Sequence, residues 1–302
     1  MSSEIDLGKY LNPKVVSTVK RLDLQAKCII EGFISGRHKS PFHGFSTDFS
    51  EHRRYNEGDP IKDIDWNVFG KTERYYIKKY QAETNLECTL MVDISSSMGY
   101  KHEDSDVSKL DYAVFLAAAL SYLNIRQQDS VALITFDDKL CSYLKPKSKK
   151  THLMSIIKTL ANAQTSTATS FQNSLMNALS LIKHRGIVVV ISDFLGDTEN
   201  ALKALQQLRY RKNDVVVFHV LDKAELDLPF SSMAKFIDTE DKSEIIANAD
   251  QIRKAYKEEI DAFIERIRTE CVKLNANYLQ INTSQPFDYA LEEFLMQRKK
   301  LF

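Results

Sequence analysis

The sequence predicts an α/β protein built on a doubly wound, mainly parallel sheet, with a smaller module ahead of it. Three observations predict this. From about Met91 onward, short apolar runs alternate with segments of helical period. The runs carry little polar alternation, as expected of parallel strands covered on both faces. A chain of 302 residues can also bury one large core or two smaller ones.

The first 87 residues read as the appended module, and 88–302 as the α/β domain. Pro13–Glu31 has helical period, with Val16, Val19, Leu22, Leu24, Ile29 and Ile30 on its apolar side. Residues 32–80 are rich in Gly, His, aromatics and charges and show no helical period. Short strands and loops are expected there, for instance at Tyr75–Tyr80. Strands follow at Thr89–Val92, Val131–Phe136, Ile187–Ile191, Val215–Leu221 and Tyr278–Ile281. Helices are expected at Lys109–Leu123, Phe171–His184, Asn200–Tyr210 and Ala249–Leu274. In the last of these, Ile252, Tyr256, Ile260, Ile264, Ile267, Cys271 and Leu274 recur every three or four residues. After the Asp137-Asp138 turn, Cys141–Leu144 can return antiparallel as an edge strand. Lys145–Lys150 holds four lysines with Pro146 and reads as a solvated turn. Phe287–Lys299 reads as a closing amphipathic helix.

Composition narrows the function. Lys plus Arg is 41 and Asp plus Glu is 41, so no global field favours nucleic acid or an anionic membrane. No apolar run approaches the roughly 20 residues of a membrane helix. The N-terminus lacks the basic start and apolar stretch of a signal peptide. Cys28, Cys88, Cys141 and Cys271 form no CxxC pair. They are expected to be reduced, mostly buried thiols of a cytoplasmic protein.

The chemistry concentrates at Asp93-Ile94-Ser95-Ser96-Ser97-Met98-Gly99. Leu90-Met91-Val92 leads straight into it. A carboxylate and two hydroxyls at spacings of two thus leave the end of a buried strand. Such hard oxygen groups suit a small hard cation, above all Mg²⁺. In an open α/β sheet, ligands sit beyond the carboxyl ends of the strands. Asp193 emerges there too, after Ile187–Ile191. The Thr/Ser-rich loop Ala163–Ser170 can reach the same edge ahead of the next helix. For a single strand-end Asp, a turn or helix cap is the simpler role. Five groups from three segments argue for a metal.

This set resembles the metal-ion-dependent adhesion site (MIDAS) of von Willebrand factor A (vWA) domains, a Rossmann-like fold found also in integrin I domains. The resemblance implies Asp93, Ser95, Ser97, Thr169 and Asp193 as the metal set, with Thr167 as the competing register. It implies Mg²⁺, with Mn²⁺ or Ca²⁺ as substitutes. It also implies an acidic side chain of a protein partner as the completing ligand. Thr165-Ser166-Thr167-Ala168-Thr169-Ser170 lacks the glycines that many members place before that Thr.

A second resemblance lies upstream. Gly36-Arg37-His38-Lys39-Ser40, Gly44, Asp48-Phe49, Arg53, Tyr55, Gly58-Asp59, Ile64-Asp65-Trp66, Lys79 and Glu83 carry it. They resemble the bacterial vWA subgroup found with MoxR-type AAA+ ATPases, whose N-terminal portion is a domain of unknown function of the DUF58 type. Asp48 stands where Glu is more usual. The resemblance implies an ATPase partner and a role in assembling or maturing other complexes.

Arg37, His38, Lys39, His43, His52, Arg53 and Arg54 make the same stretch locally basic. Glu51, Glu57 and Asp63 offset them, which spoils a counterion-release surface. Arg53, Asp59 and Asp65 are therefore expected to form loop-fixing ion pairs. Trp66 is expected to be a packing anchor.

No Walker A, HExxH or GxSxG sequence is present, and SxxK runs such as Ser155–Lys158 lack companion motifs. His184 and His219 read as core or helix-end groups. The expected function is therefore metal-dependent protein recognition without catalysis. A Mg²⁺-dependent phosphoesterase and a metal-free scaffold are the alternatives.

Overall fold

The computed structural model describes residues 49–56, 59, 64–80, 86–103, 105–137, 140–165, 174–238 and 243–285. The helices expected at Pro13–Glu31 and Phe287–Lys299 lie outside them, as do Thr167 and Thr169. The chain divides into two units, one spanning Phe33–Asn85 and one that includes everything from Leu86 onward.

In the smaller unit, β1 (Phe49–Arg54) pairs antiparallel with β2 (Tyr76–Tyr80). Between them lies α1 (Trp66–Thr72), where only strands and loops were expected. Its cause is local. Asp65 is an N-cap whose carboxylate accepts from the backbone N–H of Asn67 and Val68. Arg53 does pair with Asp59, both carboxylate oxygens lying 2.7 Å from Nη2. Trp66 is not the packing anchor expected. It is more than half exposed, and its ring meets Phe69 edge-on. The anchoring contact is instead the stack of Phe69 on Tyr75 at 4.6 Å.

The larger unit is the predicted α/β sheet. Its strands are β3 (Glu87–Asp93), β4 (Ser130–Phe136), β5 (Leu140–Lys147), β6 (Ile187–Ser192), β7 (Asp214–Leu221) and β10 (Asn277–Asn282). They lie in the order β10-β7-β6-β3-β4-β5. All neighbours are parallel except β5, which returns antiparallel along β4. Lys145, Pro146 and Lys147, expected in a turn, belong to β5, and Lys150 opens the next helix.

The helices are α2 (Lys109–Arg126), α3 (Lys150–Ala161), α4 (Ser174–Leu179), α5 (Thr198–Tyr210), α6 (Lys223–Asp227) and α7 (Ala249–Lys273). The four central strands, β3, β4, β6 and β7, are buried on both sides. Leu90 and Val92 of β3 and Val189 and Ile191 of β6 share one core with Leu116, Leu120 and Ile156. Met91, Val188 and Val190 point the other way, into a core with Leu205, Leu208, Ile267 and Cys271. This explains the unbroken apolar strands. The helix expected to reach His184 stops at Leu179, where the Ser180 hydroxyl donates to the carbonyl of Asn177. A small antiparallel pair, β8 (Met233–Ile237) with β9 (Glu244–Asn248), precedes α7.

Cys88 and Cys271 are buried thiols as expected, whereas Cys141 is exposed on β5. No helix among the described residues is long and apolar enough to cross a membrane.

One buried carboxyl is poorly served. Oδ1 of Asp129 accepts from the Leu86 N–H at 3.2 Å, while Oδ2 has no partner among the described residues. Burial pushes its pKa up to about 6. Between its unfolded value of about 4 and that folded value, the folded chain binds the extra proton. Stability therefore falls as pH rises through this window, and the loss is complete above it. Asp129→Asn should be more stable than the parent by about 1–2 kcal/mol at pH 7.5 and show no gain near pH 4. Urea denaturation of both proteins at the two pH values checks this.

Candidate functional site

The chain enters the sheet at β3, runs outward through β4 and β5, then returns to β6 on the other side of β3. The order therefore reverses between β3 and β6. In doubly wound sheets the binding crevice lies at the carboxyl ends of the strands at such a reversal. Here those ends carry Asp93 and Asp193.

Register brings them together. Val92 lies beside Ile191, so Asp93 falls next to Ser192. The Ser192 hydroxyl donates to Asp93 Oδ2 at 2.5 Å. Asp93 Oδ1 accepts from the Ser95 N–H at 2.9 Å. That bond closes the turn leading into a 3₁₀ segment, Ser96–Gly99. The hydroxyls of Ser95 and Ser97 lie 3.1 Å apart. Ser95 acts on the Asp93 carboxyl and Ser97 on the Asp193 carboxyl, each lowering its pKa. All four predicted groups are buried at this sheet edge. The fifth, Thr169, is outside the described residues.

Backbone conformation aims Asp193 inward. Phe194 adopts a left-handed conformation with φ of 56°, uncommon for a bulky residue. Its ring is buried against His219, edge-on at 5.6 Å. The Asp193 carboxylate accepts from the Leu195 N–H at 3.1 Å.

Lys109, at the first position of α2, enters the same network. Its ammonium donates to Asp193 Oδ2 at 2.7 Å and to Glu225 Oε1 at 2.6 Å. Beside them, Asp222 accepts from Ser105 Oγ at 2.7 Å, Thr283 Oγ1 at 3.1 Å and the Ala224 N–H at 2.8 Å. Glu225 closes a capping box by accepting from the Asp222 N–H.

None of Lys109, Asp222 and Glu225 was anticipated as part of the site. A signal for Asp222 existed, because it follows an apolar strand just as Asp193 does. Asp222-x-x-Glu225 also has the spacing of a capping box. Lys109 carried no signal beyond its place at a helix start.

The electrostatics separate the two aspartates. Burial, reinforced by the negative charge of Asp193, pushes the Asp93 carboxyl up to about 7. Burial acts on Asp193 in the same sense, but the Lys109 ammonium outweighs it and holds that carboxyl below the usual range. His219 is enclosed. Nε2 bonds to the Asp193 carbonyl at 2.9 Å and Nδ1 to the Tyr278 hydroxyl at 2.7 Å. Burial lowers its pKa to about 4, keeping it neutral.

Beside Ser97 opens a cleft of about 290 Å³, walled by Tyr100, Leu195, Leu228, Phe230, Phe236 and Tyr256. No group of three or more His, Cys, Asp or Glu able to hold a metal ion occurs among the described residues. The oxygen donors gathered here are two aspartates with serine hydroxyls.

The family described as "Protein of unknown function DUF58" matches residues 51–264. The chain belongs to the DUF58 family. The match takes in part of the stretch that carries the resemblance most closely, about residues 30–100, and most of the α/β sheet, where the resemblance is one of general plan. Proteins similar to this chain include uncharacterized proteins of Mycobacterium tuberculosis and Mycobacterium bovis. Each is 27% identical over 226 residues, covering 74% of this chain and 70% of the relative. Solved structures similar to this DUF58 chain include the conserved hypothetical protein BatB from Bacteroides thetaiotaomicron. It has 17% identity and a TM-score of 0.46, over 71% of this chain and 99% of that one. The VWA domain of SpRpn10 has 12% identity and a TM-score of 0.38, over 70% and 95%.

Proposed function

We propose that this DUF58 protein is a cytoplasmic, non-enzymatic recognition module. Mg²⁺ held by Asp93, Ser95, Ser97 and Asp193, with Thr169 or Thr167, would bind an acidic residue of a protein partner. The proposed partner is a MoxR-type AAA+ ATPase engaged in assembling or maturing protein complexes.

One observation carries the reading. Asp93 and Asp193 are buried together at the sheet's reversal point, close enough that the charge on one raises the pKa of the other. Such a pair favours added positive charge. The neighbouring serine hydroxyls are donors suited to a hard cation.

The metal would supply a Lewis-acidic position for an incoming carboxylate. The protein's share is to orient the oxygens. Ser192 fixes Asp93, the Leu195 N–H and Lys109 fix Asp193, and the 3₁₀ turn presents the serines. The cleft beside Ser97 offers apolar walls for residues flanking the partner's acidic group. Recognition is favoured over turnover because His219, whose imidazole bonds to the Asp193 carbonyl, is sealed and bonded at both nitrogens.

Pull-down of a MoxR-type ATPase by this chain should require Mg²⁺, fail in EDTA and fail for Asp93→Ala. Binding that ignores both changes would remove the metal from the mechanism. In thermal denaturation, Mg²⁺ at 100 times its Kd should add about 2.7 kcal/mol.

A further inference from the structure

Lys109 is fully enclosed. Lysine is almost never so buried unless it is paired. Its place is also unfavourable, because the first turn of a helix attracts anions and repels cations. The helix start does not need it. Ser108 and Asp111 complete a capping box, with the Asp111 N–H donating to Ser108 Oγ at 3.0 Å. What the ammonium does contact is the candidate site: Asp193 at 2.7 Å and Glu225 at 2.6 Å, with the Tyr100 ring centroid 6.0 Å away.

We propose that Lys109 is a built-in counter-ion of the site, a fixed ammonium that neutralises Asp193 in the metal-free protein and opposes the divalent cation when it binds. The proposal rests on the metal reading above. Its logic is electrostatic. Two carboxylates buried side by side repel, and an internal cation lets this sheet edge hold its shape without a metal. The same charge repels an arriving divalent ion, so affinity is set lower than the donor oxygens alone would give. Lys109 is thus a positioning and affinity-setting residue, not a metal ligand.

The test is calorimetric titration of Mg²⁺ and Mn²⁺ into the full chain, with melting curves in EDTA. Three proteins are compared: the parent, Lys109→Met, and Lys109→Met with Glu225→Gln. The double variant removes the ammonium together with one of its carboxylates, so net charge is unchanged. Glu225→Gln also leaves an amide oxygen to complete the capping box. The double variant therefore serves if the single one fails to fold.

Lys109→Met should bind Mn²⁺ at least about tenfold more tightly than the parent, and the double variant more tightly than the parent by a smaller factor, because it also loses the attraction of Glu225. The single variant should melt lower than the parent in EDTA and regain the difference with Mn²⁺. A parent that binds metal, with variants that bind equally or more weakly, would overturn the counter-ion role and leave the metal reading standing. A parent that binds no metal, with variants that do, would support the counter-ion and remove the metal from the natural protein's function. If none of the three binds metal, both readings fall.

Discussion

Gly186→Ala should destabilise the α/β unit by about 3 kcal/mol. A Cβ at Gly186 would sit 2.0 Å from the carbonyl oxygen of Glu87. That oxygen belongs to the backbone of β3 and cannot swing aside as a side chain would. Gly186 is tied on its other side as well. Its N–H donates to Asn213 Oδ1 at 3.1 Å, and its carbonyl accepts from the Asp214 N–H at 2.9 Å. Room for a methyl group therefore requires β6 to move off β3 at the start of their shared ladder. The same two strands bring Ser192 to Asp93 at the far end, so a shift here would loosen the candidate site also. Urea denaturation measures the loss. A change below about 1 kcal/mol would show that the strands part easily.

Asp222→Ala should cost about 4 kcal/mol, from several losses that act together. The Asp222 carboxylate is fully buried and accepts three hydrogen bonds. Ser105 comes from the segment after β3, Ala224 from the first turn of α6, and Thr283 from the residue after β10. Removing the carboxylate strands two buried donors, leaves α6 uncapped and unlinks three segments. Asp222→Asn keeps one acceptor oxygen and should recover part of the loss. Denaturation of the two variants side by side tests the ordering. Equal stability of Asp222→Ala and Asp222→Asn would show that the acceptors are not what matters.

The centre of the sheet was legible because β3, β4, β6 and β7 are buried on both faces. Ile187–Ile191 has no polar residue to interrupt it, and every side chain in it enters one core or the other. The outward edge strand was legible from the Asp137-Asp138 turn. α1 was not, because Asp65 acts through a local backbone bond that leaves no periodic trace. β8 and β9 were also missed. Met233, Ile237, Ile245 and Ile246 are exposed, so the pair shows neither a buried run nor a clean alternation.

Within the candidate site, the oxygens could be read from spacing at strand ends. The charge balance could not. It depends on the start of α2 lying across the sheet edge from β6, a contact 84 residues apart in sequence. The site therefore looked like an assembly of anions and hydroxyls, when its centre holds a buried cation. The close approach at Gly186 was hidden for the same reason. A glycine before a strand reads as a turn, and only the neighbouring strand shows why nothing larger fits.

The end of β5 has a consequence for how this protein meets others of its kind. β5 is the outermost strand of the sheet on its side, among the described residues, and it ends in Lys145, Pro146 and Lys147. Both lysines are exposed, and the proline has no N–H to offer. The pairing with β4 is also irregular at two points. A second chain trying to extend the sheet there would meet like charges, a missing donor and an uneven template. At high concentration that rim guards against runaway strand-to-strand growth.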